Sequence, residues 1–540
     1  MTDSVSRRRF LGLLGGSAAA VAGARTLGGG ARTLGGEGGA FADRLFRRSS
    51  SPPLPTNDPN KPLTIAHTQG IPTLDPDQTA ATATRSAILE IYDTLVAYTA
   101  TLRKVVPRLA TSWTIVNTTT IDFKLRHGVK FSNGETFNAT SVVFSVNRTK
   151  NPATKSLQAS IFESVESVEA RGSGVVRWNL SKATPLLLQY LTAYPILPPS
   201  YVRTAGGKIG VAPIGTGPYR LTKFQTNIGI TLERNSSYWG TPAAYRYAAY
   251  RTLPSSEAQL ASLLSGQIQI ASSLDATQAK SLKGHPGVEI KSKPTLLLSL
   301  ITLTQKGRTS SDSPTRDKLV RQALNQGINV GSIVEHILGG YAVPNAAGAS
   351  QLMFGFTDGL KPWGYNPAEA KKKLEAAGYH DGLSLRMISQ TAGLPDQAIT
   401  AQAVQADLAR IGVKVSLDTI TTPSAVGSLV ISGKAGPMIQ FGNASGGVFD
   451  VGAAYSFIFQ CKNTFSYFCT PKFQALYNKQ ASTLDDTVRK PILAQLQQMM
   501  KEECGAIFEW DVDGIWAISS GIKWTPSAGV ADNLYTARPA

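Results

Sequence analysis

Apolar and polar side chains alternate from Ile121 through Phe123 to Leu125, and the chain then meets a His127-Gly128 turn. Val129 and Phe131 resume the alternation until Ser132-Asn133-Gly134 turns the chain again. A period of two puts every second side chain on one face, so the pattern predicts half-buried strands joined by hairpin-type turns. Asn138 then precedes a short helical run over 141–147. Upstream, 63–66 reads as a strand, and a helix over 88–96 is predicted after the Thr73-Leu74-Asp75-Pro76 loop. Over 316–340, Leu319, Val320, Ala323, Leu324, Ile328, Ile333, Val334, Ile337 and Leu338 recur at helical spacing. That spacing predicts one long helix closed by Gly339-Gly340. Asn366, Pro367 and Glu369 supply an N-cap, an N1 proline and an N3 acid for a helix that Gly378 ends. Leu383, Leu385 and Met387 alternate, a helix over 397–411 follows, and Gly412 leads into a strand over 413–417. Strand, helix and strand with short joints make a βαβ unit, so this half carries an α/β sheet. A last helix over 489–503 precedes the strand-like Ile507-Phe508-Glu509-Trp510.

The order of three blocks carries a resemblance. Pro107-x-Leu109-Ala110-x-Ser112-Trp113 is followed by Phe123-Lys124-Leu125-Arg126-x-Gly128-Val129-Lys130-Phe131-x-x-Gly134. The third block runs from Val142-Val143-Phe144 to Asn147-Arg148. Together they resemble the signature of the family 5 extracellular solute-binding proteins, the peptide/nickel-type receptors of bacterial ABC importers. Leu74-Asp75-Pro76, Tyr92-Asp93-x-Leu95-Val96, Pro213 to Tyr219, Arg234-Asn235 with Tyr238-Trp239, and Val320-Arg321-Gln322-Ala323-Leu324 match further blocks in the same order. The glycines of 213–219 read as scaffold and not as a phosphate loop, because the lysine and Ser/Thr of a P-loop are missing. The likeness spans about residues 60–525. It implies a periplasmic-binding-protein-like α/β fold, with two lobes and an extra subdomain around a ligand cleft.

Composition narrows this little. The 540 residues exceed one small core, and 42% apolar with 17% charged residues describes an ordinary soluble protein. The formal net charge of +18 raises nucleic acid as a partner. The basic residues are scattered, however, with no stripe and no interleaved aromatics, so a basic surface suited to anionic partners is the better reading. Ser6-Arg7-Arg8-Arg9-Phe10-Leu11 matches the twin-arginine export pattern and leads into a Gly/Ala-rich segment. Ala22-Gly23-Ala24 and Ala40-Phe41-Ala42 are small-x-small cleavage candidates. No cysteine precedes Cys461, so no lipid anchor is expected and the mature chain should stand in the periplasm or outside the cell. The expected organisation is a signal and leader over 1–42 and a linker over 43–60, which includes none of the tandem GARTLGG repeat at 23–36. Lobe I over 61–297 follows, with a subdomain near 100–200, then lobe II over 298–508 and a return to lobe I over 509–540.

Cys461 and Cys469 are eight residues apart. In an exported protein such a pair reads as a disulfide, as against two buried thiols, and some family members carry a comparable pair here. Cys504 is left over as a buried thiol. The five histidines show no zinc spacing, and no H-E-x-x-H or G-x-S-x-G motif occurs. No catalytic residue, metal ligand or cofactor is assigned.

In peptide-binding members an Asp shortly after a Trp pairs with the ligand's α-amino group. Here Phe441 stands for the Trp, the acidic position is neutral at Asn443, Ala444 or Ser445, and an acid comes only later, at Asp450. A charge-assisted bond to an ammonium contributes about 1.5–3 kcal/mol, so its loss weakens the case for free N-termini. The carboxylate-anchoring Arg of dipeptide receptors is also not evident near Gln390, where Thr391 stands. The cargo classes left open are blocked peptides, glycosides, metal chelates and other polar metabolites.

The candidate cleft lining is His67, Gln69, Gln390, Phe441, Asn443, Ser445 and Asp450, with His67 placed by its position after the first strand. Phe441 would pack on the ligand, the amides would orient it, and Asp450 would meet a positive group. Each taken alone is equally an ordinary loop or core residue. The expected function is an exported, monomeric receptor that grips a small polar solute and docks on membrane permease subunits, after passage through the twin-arginine translocon. A secreted sensor or scavenger on the same fold and a secreted hydrolase are the alternatives.

Overall fold

A computed structural model describes residues 58–540, except 80–81, 100–103, 305–312, 392–393, 395, 444–446, 462, 464–465 and 528–530. The arginine cluster, the cleavage candidates, the repeat and Ser445 therefore lie outside the described residues.

Two long antiparallel strands, Val288–Leu303 and Ala506–Ser519, form the centre of an 11-stranded sheet. Outward from Ala506–Ser519 come Ile270–Ala271, Leu63–His67, Tyr247–Thr252, Gly229–Arg234 and Tyr219–Gln225. Outward from Val288–Leu303 come Met438–Asn443, Leu383–Gln390 and Val413–Ile420. Each wing contains parallel pairs, Leu63–His67 with Tyr247–Thr252 and Leu383–Gln390 with Val413–Ile420. Parallel neighbours need crossovers: helix Gln397–Arg410 joins Leu383–Gln390 to Val413–Ile420, and helix Ser256–Leu264 carries the chain from Tyr247–Thr252 past Leu63–His67 to Ile270–Ala271, which pairs parallel with its other edge. The wings bury separate cores. Leu63, Ile65, Leu232, Tyr250 and Ile518 belong to the first, and Ile301, Met387, Val404, Leu408 and Val415 to the second.

The two central strands are shared unequally. Residues 288–294 pair with 513–519 on the first wing's side, and 298–302 pair with 506–511 on the second's. Between them the register shifts from Pro294 to Leu298. Proline has no N–H to give a ladder. Thr295 bridges the interruption with its hydroxyl, which accepts from the Leu297 N–H at 3.0 Å and donates to the Val512 carbonyl at 2.7 Å.

A separate antiparallel sheet orders Ala110–Asn117, Thr120–Leu125, Val175–Leu180 and Val165–Ala170. Ile121, Phe123 and Leu125 all face its core with Trp178, Val142 and Val146, as their alternation requires. Asn138 caps helix Ala139–Lys150 in a capping box with Ser141.

Three elements differ from the sequence reading. The helix expected over 88–96 is Thr82–Ile91, and Val96–Tyr98 is a strand. The chain leaves the helix because Asp93 is buried as an acceptor for Arg108, the Thr216 hydroxyl and the Trp239 indole N–H. Val129 and Phe131 are buried, but only an isolated Lys130–Thr136 bridge forms there, so the alternation marks a buried turn and no strand. The single helix over 316–340 is broken into Lys318–Gly327, Val330–Ser332 and a π turn at Ile333–Ile337. Ile328 is extended, and the Asn329 N–H turns aside to Asp407 at 2.9 Å. The apolar positions on both sides of the break still enter one core.

Gly215 and Gly217 carry the 213–219 block against the end of the Thr82–Ile91 helix, where the Gly217 N–H donates to the Ile91 carbonyl at 2.8 Å. A Cβ on Gly215 would stand 2.0 Å from that same carbonyl oxygen. Gly215→Ala is expected to lower unfolding stability by about 1–3 kcal/mol, because backbone cannot retreat there. A denaturant midpoint equal to wild type would show that the contact relaxes.

Candidate ligand cleft

The candidate positions come from segments at strand ends in both wings. His67 closes Leu63–His67, and its carbonyl accepts from the Leu253 N–H at 2.9 Å. Its ring is buried, stacks on Tyr250 at a centroid distance of 5.9 Å, and places Nδ1 3.1 Å from the Ser272 hydroxyl. Nε2 stands 3.7 Å from the Asp532 carboxyl. Burial lowers the His67 pKa to about 4 and raises that of Asp532 to about 7. Gln69 is exposed on the loop that follows.

Serine, histidine and aspartate therefore meet here, the trio a hydrolase uses. Their arrangement lacks that chemistry. Ser272 is 2% exposed, and its hydroxyl donates to the Ala66 carbonyl at 2.7 Å, so the proton a base would take is held elsewhere. An imidazole held near pKa 4 is a weak base, and a carboxyl raised toward 7 is a weak orienting anion. The knot ties strands to the C-terminal segment. Glu90 completes it, accepting from the Tyr250 hydroxyl and from the backbone N–H groups of Leu534 and Tyr535.

On the second wing, Gln390 ends Leu383–Gln390 and is half-buried. Phe441 is also half-buried, and packs against two apolar clusters, one around Phe449 and Phe459 and one around Ile388 and Val426. Asn443 is buried, with its amide 3.5 Å from the Ala454 carbonyl. Asp450 is placed differently from a ligand contact. It caps helix Val451–Ile458 through the Gly452 N–H at 2.7 Å. Both its oxygens accept from Arg489, at 2.6 and 2.7 Å, and the pair is fully buried. The positive group that Asp450 meets is this arginine of its own chain. Arg489 is further held by Gln480.

Two residues that the sequence reading passed over bring the wings together. Tyr98 reaches Phe449, whose backbone N–H donates to its hydroxyl at 3.4 Å while the rings meet edge to face at 4.9 Å. Arg85, on Thr82–Ile91, extends to Gly447, where a Cβ would lie 2.4 Å from its Nη1. Arg85 and Glu90 are the charged residues of an otherwise small and apolar helix, TATRSAILEI, and that isolation was the available signal.

Cys461 and Cys469 stand with Cα atoms 5.0 Å apart in a disulfide, and Cys504 is buried with its thiol pushed up to about 12. Among the described residues no three His, Cys, Asp or Glu side chains gather at metal-holding distance, and no helix is long and apolar enough to cross a membrane.

The model for the bacterial extracellular solute-binding proteins, family 5, matches residues 104–466. The glutathione-binding protein GsiB of Escherichia coli (strain K12) is 28% identical over 364 residues, covering 66% of this chain and 69% of that protein. Among solved structures, the substrate-binding protein CtaP of Listeria monocytogenes superposes with a TM-score of 0.80 at 21% identity, over 89% of this chain and 99% of that one. The periplasmic binding protein DppA of Helicobacter pylori, in complex with the peptide STSA, does so at 0.75 and 22%, over 89% and 98%. NikA of Brucella suis, in complex with Fe(III)-EDTA, does so at 0.78 and 22%, over 89% and 100%. These likenesses establish the two-lobed periplasmic-binding-protein fold. With a family model that spans most of its length, this chain belongs to the bacterial extracellular solute-binding proteins, family 5.

Proposed function

We propose that the chain is the exported receptor of an ABC importer, capturing a small polar solute of the peptide class between its lobes and delivering it to membrane permease subunits. The observation that carries this reading is the shared pair of strands, Val288–Leu303 and Ala506–Ser519, interrupted at 294–298 between two separate cores. Such an interruption is a natural hinge, since few dihedrals change while both cores stay packed. Lobe I then runs over 61–297 and 509–540, and lobe II over 298–508. Gln69 and Gln390 orient the ligand from opposite lobes, Phe441 and Asn443 line its second-lobe wall, and Tyr98 joins them. The chain's similarity to the glutathione-binding protein GsiB and to DppA in complex with a peptide supports the solute class. Binding without bond cleavage accords with the disarmed Ser272–His67–Asp532 trio. The Arg7-Arg8-Arg9 cluster supports export by the twin-arginine route, into a compartment where Cys461 and Cys469 remain oxidised.

Small-angle scattering with and without ligand tests the reading. Solute from a peptide and metabolite library is expected to raise the melting temperature and to shrink the radius of gyration. Saturable binding with unchanged dimensions would remove hinge closure. No binding across the library would remove the receptor role.

A further inference from the structure

Arg85 stands at the lobe junction without a partner among the described residues. Its helix belongs to the first core through Ala87, Ile88 and Ile91, yet its guanidinium reaches across to the second lobe at Gly447. Any larger residue at 447 would displace it, and the positive φ of +80° there also favours glycine. Among the described residues, no hydrogen bond or ion pair engages Arg85, and burial alone presses its pKa below the ordinary arginine value. The other internal arginines differ. Arg489 has Asp450, Arg148 has Asp75 and Asp77, and Arg108 has Asp93.

Arg85 is half-buried, so its guanidinium stays open to an acceptor that its five N–H donors do not find among the described residues. The acids closest in sequence to the Arg85–Gly447 contact are engaged elsewhere: Asp450 by Arg489, and Glu90 by Tyr250, Leu534 and Tyr535. With no acceptor among the described residues, the guanidinium is available to a ligand. Gly447, which the guanidinium meets, is two residues from Phe449, whose ring meets Tyr98, so Arg85 stands at the junction of the lobes where the proposed cleft opens.

Resting on the receptor reading above, we infer that Arg85 is the anion anchor of the cleft and that the solute presents a carboxylate to it. The planar guanidinium fork matches a carboxylate in two parallel bonds, which an amide or ester cannot reproduce. Selection by negative charge replaces the ammonium recognition for which the 441–450 segment lacks an available acid.

Calorimetric titration of the full chain with tripeptide acids and their C-terminal amides, and with glutathione and its diester, tests the assignment. Wild type is expected to hold the acid about 10–100-fold more tightly than its neutral partner. Arg85→Gln should bind both at the level of the amide, and Arg85→Lys should recover part of the preference. Ligand-free Arg85→Gln should melt no lower than wild type, because it removes a cation that has no protein partner; a lower melting temperature assigns Arg85 to the fold and overturns the anchor. An acid preference retained in Arg85→Gln, or absent from a wild type that binds both, also overturns the anchor and leaves the receptor reading standing. A wild type that binds neither acid nor amide removes the peptide-class reading and this inference together.

Discussion

Asp450→Ala is expected to lower the stability of the second lobe by about 3–5 kcal/mol, since it strands a buried arginine without its counter-charge. Arg489 is 1% and Asp450 0% exposed, so water cannot replace the lost partner. The same substitution removes the cap on the Gly452 N–H, which adds about 0.5–2 kcal/mol. Denaturant unfolding followed by tryptophan fluorescence reads the total. The double variant Asp450→Ala/Arg489→Met separates the contributions, and is expected to be more stable than Asp450→Ala alone because no charge remains buried. A single variant that loses under 1 kcal/mol would mean that the ion pair is not what holds this helix, and would return Asp450 to the list of ligand contacts.

The second large effect is in pH. Burial raises Glu90 from 4.5 to about 8, and Glu509, Asp511 and Asp532 to about 7. The folded protein therefore keeps protons that the unfolded chain releases above its ordinary carboxyl values. The stability these groups give is complete below those values and is lost as pH rises through 7 to 8. His67 acts oppositely, since its pKa falls from 6.5 to about 4; its contribution is complete above 6.5 and lost as pH drops through 4. Stability should thus peak on the acidic side of neutrality and decline toward pH 9. Glu90→Gln mimics the protonated acid, so it should match wild type near pH 5 and exceed it by about 2–5 kcal/mol at pH 9. Parallel stability curves for the two proteins would show that Glu90 is already ionised in the fold.

Much of the architecture was legible because apolar spacing encodes which side chains are buried. Ile121, Phe123 and Leu125 show this directly, as does the βαβ unit from Leu383 to Ile420. The broken helix at 316–340 shows the limit of that code. Its apolar residues reach one core as expected, but spacing carries no information about the backbone bond that Asn329 gives to Asp407. In the cleft the limit is sharper. Asp450 reads as an acid near the ligand segment, and nothing local reveals that Arg489, on another helix, closes around it. His67 reads as a strand-end histidine, and its burial depends on Tyr250 and Asp532, far away in the chain. Arg85 was visible as a lone cation among small residues, but its lack of a partner is a three-dimensional fact.

The Thr295 hydroxyl, bonded to Val512 across the strands and to Leu297 in its own, stands where the backbone ladder is interrupted. A ladder resists bending because peptide planes are fixed, whereas a side-chain oxygen can rotate about a single bond and keep both of its neighbours. In the proposed receptor the junction would serve as a swivel pin that turns without breaking contact, and its stiffness would set how readily the jaws part to release a bound molecule.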